Sequence, residues 1–141
     1  MARRTSMNVL LDTCAILALA EGTLPAPAGE ALLSAPEAIV SPVVAWELAI
    51  KVKAGKLELP EPPLQWIRSV VDEHTLSLQP GGLDAALLCA AADLPLIHRD
   101  PFDRVLVATA IRDGLTLLTA DRTVPAYPGL RAIWREAGAT N

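Results

Sequence analysis

Residues 8–20, "NVLLDTCAILALA", connect a short apolar run to a helical pattern through a single acidic residue. The run at 9–11 is typical of a buried strand that ends at Asp12, and "TCAILALA" is typical of the helix that follows it. The basic residues before this stretch also give it the outline of a secretory signal. A signal core, however, should carry no charge where Asp12 stands. We therefore interpret the stretch as a strand–helix unit.

The remainder of the chain repeats this alternation. Strands are predicted at "EAIVSP" (37–42), "LSLQP" (76–80), "LTLLTAD" (115–121) and, as an edge strand, "LRAIW" (130–134). Helices are predicted at "VVAWELAIKVKAGK" (43–56, ending at Gly55), "PPLQWIRSVVDEH" (62–74), "LDAALLCAAADL" (83–94) and within "HRDPFDRVLVATA" (98–110). The stretches "GTLPAPAG" (22–29) and "PEPP" (60–63) are expected to be loops. This pattern predicts an α/β fold around a mainly parallel sheet, in one domain over 1–141.

Composition narrows the class of protein. Hydrophobic residues make up 52% of the 141-residue chain, too many for a disordered protein. No uncharged stretch approaches the roughly 18–20 residues of a membrane span. The formal net charge of −4 argues against a broad nucleic-acid-binding surface. Cys14 and Cys89 lie among apolar residues and are expected to be reduced, buried thiols of a cytoplasmic protein. Trp46, Trp66 and Trp134 are expected in the core or an interface.

Two aspartates follow predicted strands. Asp12 ends the first strand and Asp121 ends "LTLLTAD". Ligands of parallel sheets bind beyond the carboxyl ends of the strands, so both side chains are candidates for one cleft. The alternative is that each aspartate caps the helix or turn that follows it.

Glu47 lies within a helical pattern whose neighbouring positions are mostly apolar, so it is predicted to point toward the core. A buried carboxylate costs several kcal/mol unless it is paired or bound to a metal. A simple ion pair with Lys51, one helical turn later, is the alternative.

"DPFDRVLVATA" contains the two remaining acids of interest. Asp100 followed by Pro101 has the pattern of a helix cap and a first-turn proline. Asp103 instead heads a stripe through Leu106, Val107, Ala110 and Ile111, which we predict to be the buried face of the helix. We therefore assign Asp103 to chemistry and leave Asp100 primarily as a cap.

Asp12, Glu47, Asp103 and Asp121 thus have reasons to converge. Clustered acids repel one another unless cations hold them. Carboxylate oxygens without histidine or thiolate neighbours suit Mg²⁺ or Mn²⁺. Such a site could activate water and clamp the oxygens of a phosphodiester.

Four blocks, "LLDTCAILAL", "SPVVAWELAIKVKAGKL", "LPLIHRDPFDRVLVATA" and "GLTLLTAD", together resemble the PIN domain, specifically VapC-type toxins of bacterial toxin–antitoxin pairs. The resemblance covers nearly the whole chain. It implies a three-layer α/β/α sandwich, metal-dependent endoribonuclease activity, a homodimer and a cognate antitoxin protein. By motif, Asp12, Glu47, Asp103 and Asp121 match the family's acidic metal-binding residues. Thr119 matches a commonly polar position, and Asp100 belongs to the "RDPFDR" variant of the motif.

Other interpretations remain open at this point. A different metal-dependent phosphohydrolase or a non-catalytic α/β binding module is the alternative function; a haloacid-dehalogenase-like phosphatase would need an aspartate where Cys14 stands. Arg99, Arg104 and Arg122 flank the later acids, where they could contact RNA phosphates or be ordinary surface charges. His98 is expected to be an ordinary polar residue before the helix.

Overall fold

The computed structural model describes residues 7–79, 83–97, 99–135 and 139–140. A six-stranded sheet forms its centre, in the order β3-β2-β1-β4-β5-β6. All neighbouring strands are parallel except β5 and β6, which are antiparallel. The strands are β1 (Val9–Leu11), β2 (Ala38–Val40), β3 (Ser77–Leu78), β4 (Thr116–Leu118), β5 (Arg131–Ile133) and β6 (Ala139–Thr140).

Among the described residues, six α-helices accompany the sheet: α1 (Thr13–Glu21), α2 (Ala26–Ser34), α3 (Pro42–Lys53), α4 (Pro63–Glu73), α5 (Ala85–Asp93) and α6 (Pro101–Asp113). Every residue of β1, β2 and β4 is buried. Strands buried on both faces need helices on both sides of the sheet, which is why these segments read as continuous apolar runs. The prediction of an α/β sandwich with a mainly parallel sheet is therefore confirmed.

The prediction of a loop at 22–29 is wrong for residues 26–29, because α2 begins at Ala26, while residues 22–25 do connect the two helices. Pro25 is the N-cap of α2, and Pro27 lies in its first turn, where a backbone N–H would have no helical partner. Ala28 is fully buried and helps fix the helix to the core. The strand at 130–134 is also not an edge strand, since β6 pairs along its outer side.

Both cysteines are exposed, contrary to the expectation of buried thiols. The helices that carry them bury other positions: Ala15 and Ile16 in α1, and Leu87 and Ala91 in α5. Cys14 and Cys89 consequently face outward.

The three tryptophans differ from one another. Trp66 is in the core, and Trp134 is partly buried against it. Trp46 is 61% exposed, so a core position is wrong for it. Its ring meets Phe102 edge-on, with 5.2 Å between the ring centroids.

Within the described ranges, no helix has the length and apolar character needed to cross a membrane. His98 lies outside the described residues.

Candidate functional site

Asp12 and Thr119 lie side by side at the carboxyl ends of β1 and β4. The two strands pair Leu11 with Leu118, and the backbone N–H of Asp12 donates to the Leu118 carbonyl at 3.1 Å. The Asp12 side chain accepts the Ala15 N–H at 2.7 Å and so caps α1. It also hydrogen-bonds the Thr119 side chain. The helix cap expected as an alternative is thus present, at a carboxylate that is only 5% exposed.

Burial raises the pKa of the Asp12 carboxyl to about 6. The hydrogen bonds from Thr119 and Ala15 lower it, while the charges of Asp103 and Glu47 raise it further. Two acids from other elements, Asp103 on α6 and Glu47 on α3, therefore act electrostatically on Asp12 at this end of the sheet.

Glu47 is buried on α3, as predicted, and it also forms the ion pair that was the alternative. Its Oε2 lies 2.7 Å from the Lys51 ammonium, one turn along the helix. Its Oε1 accepts a hydrogen bond from the hydroxyl of Thr13. Both interpretations of Glu47 hold together, because the carboxylate faces inward while the long lysine reaches it from the surface.

Asp100 caps α6. Its Oδ1 accepts the backbone N–H groups of Phe102 at 2.8 Å and Asp103 at 3.3 Å. Asp103 lies in the first turn of the same helix and is partly buried. Below it, Leu106, Val107 and Ala110 are buried, as the predicted stripe requires, whereas Ile111 is 38% exposed.

Asp121 is connected to this group through Thr119. Its backbone N–H donates to the Thr119 hydroxyl at 3.1 Å. Its Oδ1 accepts both the N–H of Thr123 at 2.8 Å and the Thr123 hydroxyl at 2.7 Å. Asp121 therefore stabilises the turn after β4, which is the capping role given as its alternative.

Arg104 has a structural role. The sequence analysis had offered a contact with RNA phosphates or an ordinary surface charge for it. The residue is only 8% exposed. Its guanidinium donates to the carbonyls of Leu94 at 2.7 Å, Ala92 at 3.0 Å and Pro95 at 3.0 Å. These carbonyls belong to the end of α5 and the turn after it, where a cation is favoured. The interaction joins α5 to the start of α6.

The donor chemistry of the acids fits a hard divalent cation. Asp12 is a buried carboxylate whose raised pKa records the cost of its charge, and a cation there would remove that cost. In the part of the chain that the structure describes, no three histidine, cysteine, aspartate or glutamate side chains are arranged to hold an ion together as they stand. Among these acids, Asp12 fits a cation by its burial and raised pKa, whereas Glu47 already has a counter-charge in Lys51.

Residues 9–130 match the PIN domain family, and the chain belongs to that family. It is a homologue of ribonuclease VapC22 of Mycobacterium tuberculosis (strain ATCC 25618 / H37Rv), with 31% identity over 101 residues, which are 71% of this chain and 75% of the relative.

Two solved structures share the fold. Rickettsia felis VapBC2 bound to a DNA fragment from its promoter aligns with a TM-score of 0.63 and 16% identity, over 90% of this chain and 98% of the other. DNA-bound VapBC from Salmonella typhimurium aligns with a TM-score of 0.62 and 20% identity, over 90% and 97%. The resemblance seen in the four sequence blocks is confirmed at the level of family and fold.

Proposed function

We propose that this protein is a VapC-type toxin: an endoribonuclease that hydrolyses RNA phosphodiester bonds with Mg²⁺ or Mn²⁺ at Asp12, Glu47, Asp103 and Asp121. The observation that carries the proposal is the buried Asp12 carboxylate, whose pKa is raised by burial and then by Asp103 and Glu47. The homology to a ribonuclease supports the same activity.

The contacts of Asp12, Thr119 and Glu47 suggest a role for each of them in the proposed reaction. Asp12 and Asp103 would hold the cation, and Thr119 would orient Asp12 through their hydrogen bond. Glu47 is held in place by Thr13 and Lys51. The bound cation would supply charge neutralisation and polarise the phosphodiester.

We propose further that the protein has a cognate antitoxin, is a homodimer, works in the cytoplasm and forms a single PIN-like domain over 1–141. The relatives of known structure are VapBC assemblies, which supports the antitoxin. An apolar cavity of 430 Å³ between α3, α5 and α6, bordered by the exposed Trp46 and Leu88, supports a contact between two copies.

The homodimer can be tested by sedimentation or light scattering. Trp46→Glu places a charge at the cavity and should give monomers. Leu33→Glu changes a side chain that is 88% exposed on α2 and should leave a dimer intact. A monomeric wild type, or a dimeric Trp46→Glu protein, would contradict the proposed contact.

The activity is tested by incubating the purified chain with RNA and Mn²⁺ or Mg²⁺, with and without a chelator. We expect cleavage that the chelator abolishes. Asp12→Asn and Asp103→Asn should lose cleavage and growth toxicity while remaining folded, and Asp72→Asn, at an exposed acid of α4, should keep both. Turnover of phosphate monoesters instead of RNA would indicate another phosphohydrolase, and binding without turnover would indicate a binding module.

A further inference from the structure

Lys51 brings a positive charge to the border of the candidate site. Its ammonium lies 2.7 Å from Glu47 Oε2. The thiol of Cys14 on α1 and the carboxylate of Asp100 before α6 are close enough to act electrostatically on this ammonium. The charge of Lys51 is therefore placed where α1, α3 and the start of α6 meet.

The ion pair of Lys51 and Glu47 has an inner and an outer end. The side chain of Glu47 is 6% exposed, whereas that of Lys51 is 45% exposed. Because the carboxylate lies inside and the ammonium outside, a molecule that approaches from solvent meets the positive end of the pair first. The other oxygen of Glu47 accepts the hydroxyl of Thr13, so the inner end of the pair is held by a second contact.

The ammonium of Lys51 has hydrogen-bonding capacity left. An ammonium carries three N–H donors, and the contact with Glu47 uses one of them. In the part of the chain that the structure describes, Lys51 makes no other hydrogen bond. Its remaining donors are therefore available to a ligand that arrives from solvent.

Arg104 differs from Lys51 in this respect. It follows Asp103 directly in the sequence, but it is only 8% exposed. Its guanidinium donates to the carbonyls of Leu94 and Ala92 and so belongs to the interior of the connection between α5 and α6. Of these two cations beside the acids, Lys51 is the one that presents its charge to solvent.

We propose that Lys51 is a substrate-binding residue whose ammonium contacts a phosphate oxygen of the RNA beside the acids of the site, while Glu47 holds that ammonium in place. The inference rests on the proposed ribonuclease function and adds a residue that binds its substrate. Carboxylates repel the anionic phosphodiester, and a cation of the chain next to them offsets this repulsion. A lysine binds phosphate as a point charge and does not read the base sequence.

The experiment compares Lys51→Met with Lys51→Arg, which keeps the charge, and with Lys53→Met, which removes an exposed charge from the same helix. The probe is a labelled single-stranded oligouridylate, and fluorescence anisotropy in chelator gives its Kd at several salt concentrations without requiring cleavage. KM for RNA cleavage in Mn²⁺ is measured over the same salt range. Thermal scans report whether each variant is folded.

We expect Lys51→Met to raise Kd and KM about tenfold at low salt, because a charged hydrogen bond to phosphate is lost. The slope of log Kd against log salt concentration should become shallower by about 0.7, since one phosphate contact no longer releases its counterions. An oligoadenylate should show the same change, because the contact is independent of base sequence. Lys51→Arg and Lys53→Met should keep the wild-type slope.

A wild-type salt slope in folded Lys51→Met, or no binding of the oligonucleotide to the wild type, would overturn the inference. Such a slope together with a lower Tm would make Lys51 a purely structural partner of Glu47. Should Lys51→Met fail to fold, acetylation of wild-type lysines with and without the oligonucleotide takes its place. RNA should then protect Lys51 and leave Lys53 reactive, and unchanged acetylation of Lys51 would contradict the contact.

The outcomes separate this inference from the proposed function. A wild type that binds the oligonucleotide through Lys51 but cleaves no RNA would contradict only the proposed ribonuclease activity. A wild type that cleaves RNA with the same KM and salt slope as Lys51→Met would contradict only the role of Lys51.

Discussion

The hydroxyl of Thr13 donates to the buried carboxylate of Glu47, 34 positions away along the chain. Thr13 is the first residue of α1 and Glu47 lies in the middle of α3, so the bond ties two helices together directly beside Asp12. The arrangement of Asp12 and Glu47 thus depends on a neutral polar side chain as well as on the acids themselves.

Replacing Thr13 with Val keeps the shape of the side chain and removes the hydroxyl. Because a buried carboxylate oxygen then loses its donor, we expect the free energy of unfolding to fall by about 1–3 kcal/mol. Urea denaturation measures the loss. Thr13→Ser retains the donor and is the control, and equal stability of the Val and Ser variants would show that the bond contributes nothing.

The two aspartates of "DPFD" (100–103) should have different roles, with Asp100 capping the helix and Asp103 required for RNA cleavage. Asp100→Ala removes the side chain that accepts two backbone N–H groups, so stability should fall by about 0.5–2 kcal/mol while substantial RNA cleavage remains. Asp103→Ala should lose cleavage. Loss of cleavage in Asp100→Ala without any change in Tm would reverse the two roles.

The stability of the metal-free protein should depend on pH through Asp12. Its pKa is about 6 in the folded protein and 3.8 as the ordinary value, so the folded state binds the proton more tightly. Charged Asp12 therefore destabilises the fold above pH 6, and this cost is relieved as the pH falls from 6 toward 3.8.

Between pH 7 and pH 5, wild-type protein in chelator should gain about 1 kcal/mol relative to Asp12→Asn, which cannot titrate at this position. Denaturation at the two pH values measures the difference between the variants. A constant difference would mean that Asp12 has an ordinary pKa in the folded chain.

Arg104→Met should destabilise the protein by roughly 2–4 kcal/mol, because the carbonyls at the end of α5 lose their charged donor. Arg122→Met, at an exposed arginine beside Asp121, should change stability little. Chemical denaturation of both variants compares them directly. Similar stability of the two would show that the buried guanidinium is replaceable by an apolar side chain.

Mn²⁺ should raise the Tm of the wild type at neutral pH, and less in Asp12→Asn/Asp121→Asn. Binding to the folded state contributes about 2.7 kcal/mol when free metal is a hundred times its dissociation constant. Glu58→Gln/Asp72→Asn removes two exposed acids and serves as the control for net charge. An equal rise in the wild type and the Asp12/Asp121 variant would place the ion elsewhere.

The fold was largely predictable because the central strands are short, fully buried and therefore continuous in apolar residues. Helix α2 was missed for a physical reason. The segment contains Pro25, Pro27 and Gly29, and proline and glycine are common in loops. Prolines are also accepted in the first turn of a helix, where no N–H is needed. The outward position of Cys89 was equally hidden, since the sequence of α5 is apolar on nearly all sides and shows no periodic face.

The acidic residues of the candidate site could be predicted from the sequence, but the contacts between side chains of different elements could not. Asp12 was marked by its place after a strand, and Glu47 by its apolar helical neighbours. The roles of Thr13 and Arg104 depend on partners in other elements. The sequence offered one signal for Arg104, which is its position four residues after Asp100. It lies at the start of a stretch of α6, residues 104–110, that is buried throughout.

The outermost strands, β3 and β6, are two residues long each. The unpaired edge of a sheet can template further strands from other molecules, and an edge strand this short offers few backbone groups for such growth. Concentrated solutions of the protein should accordingly resist conversion into cross-β aggregates while the native sheet is intact. Self-association under those conditions would have to proceed through side-chain surfaces.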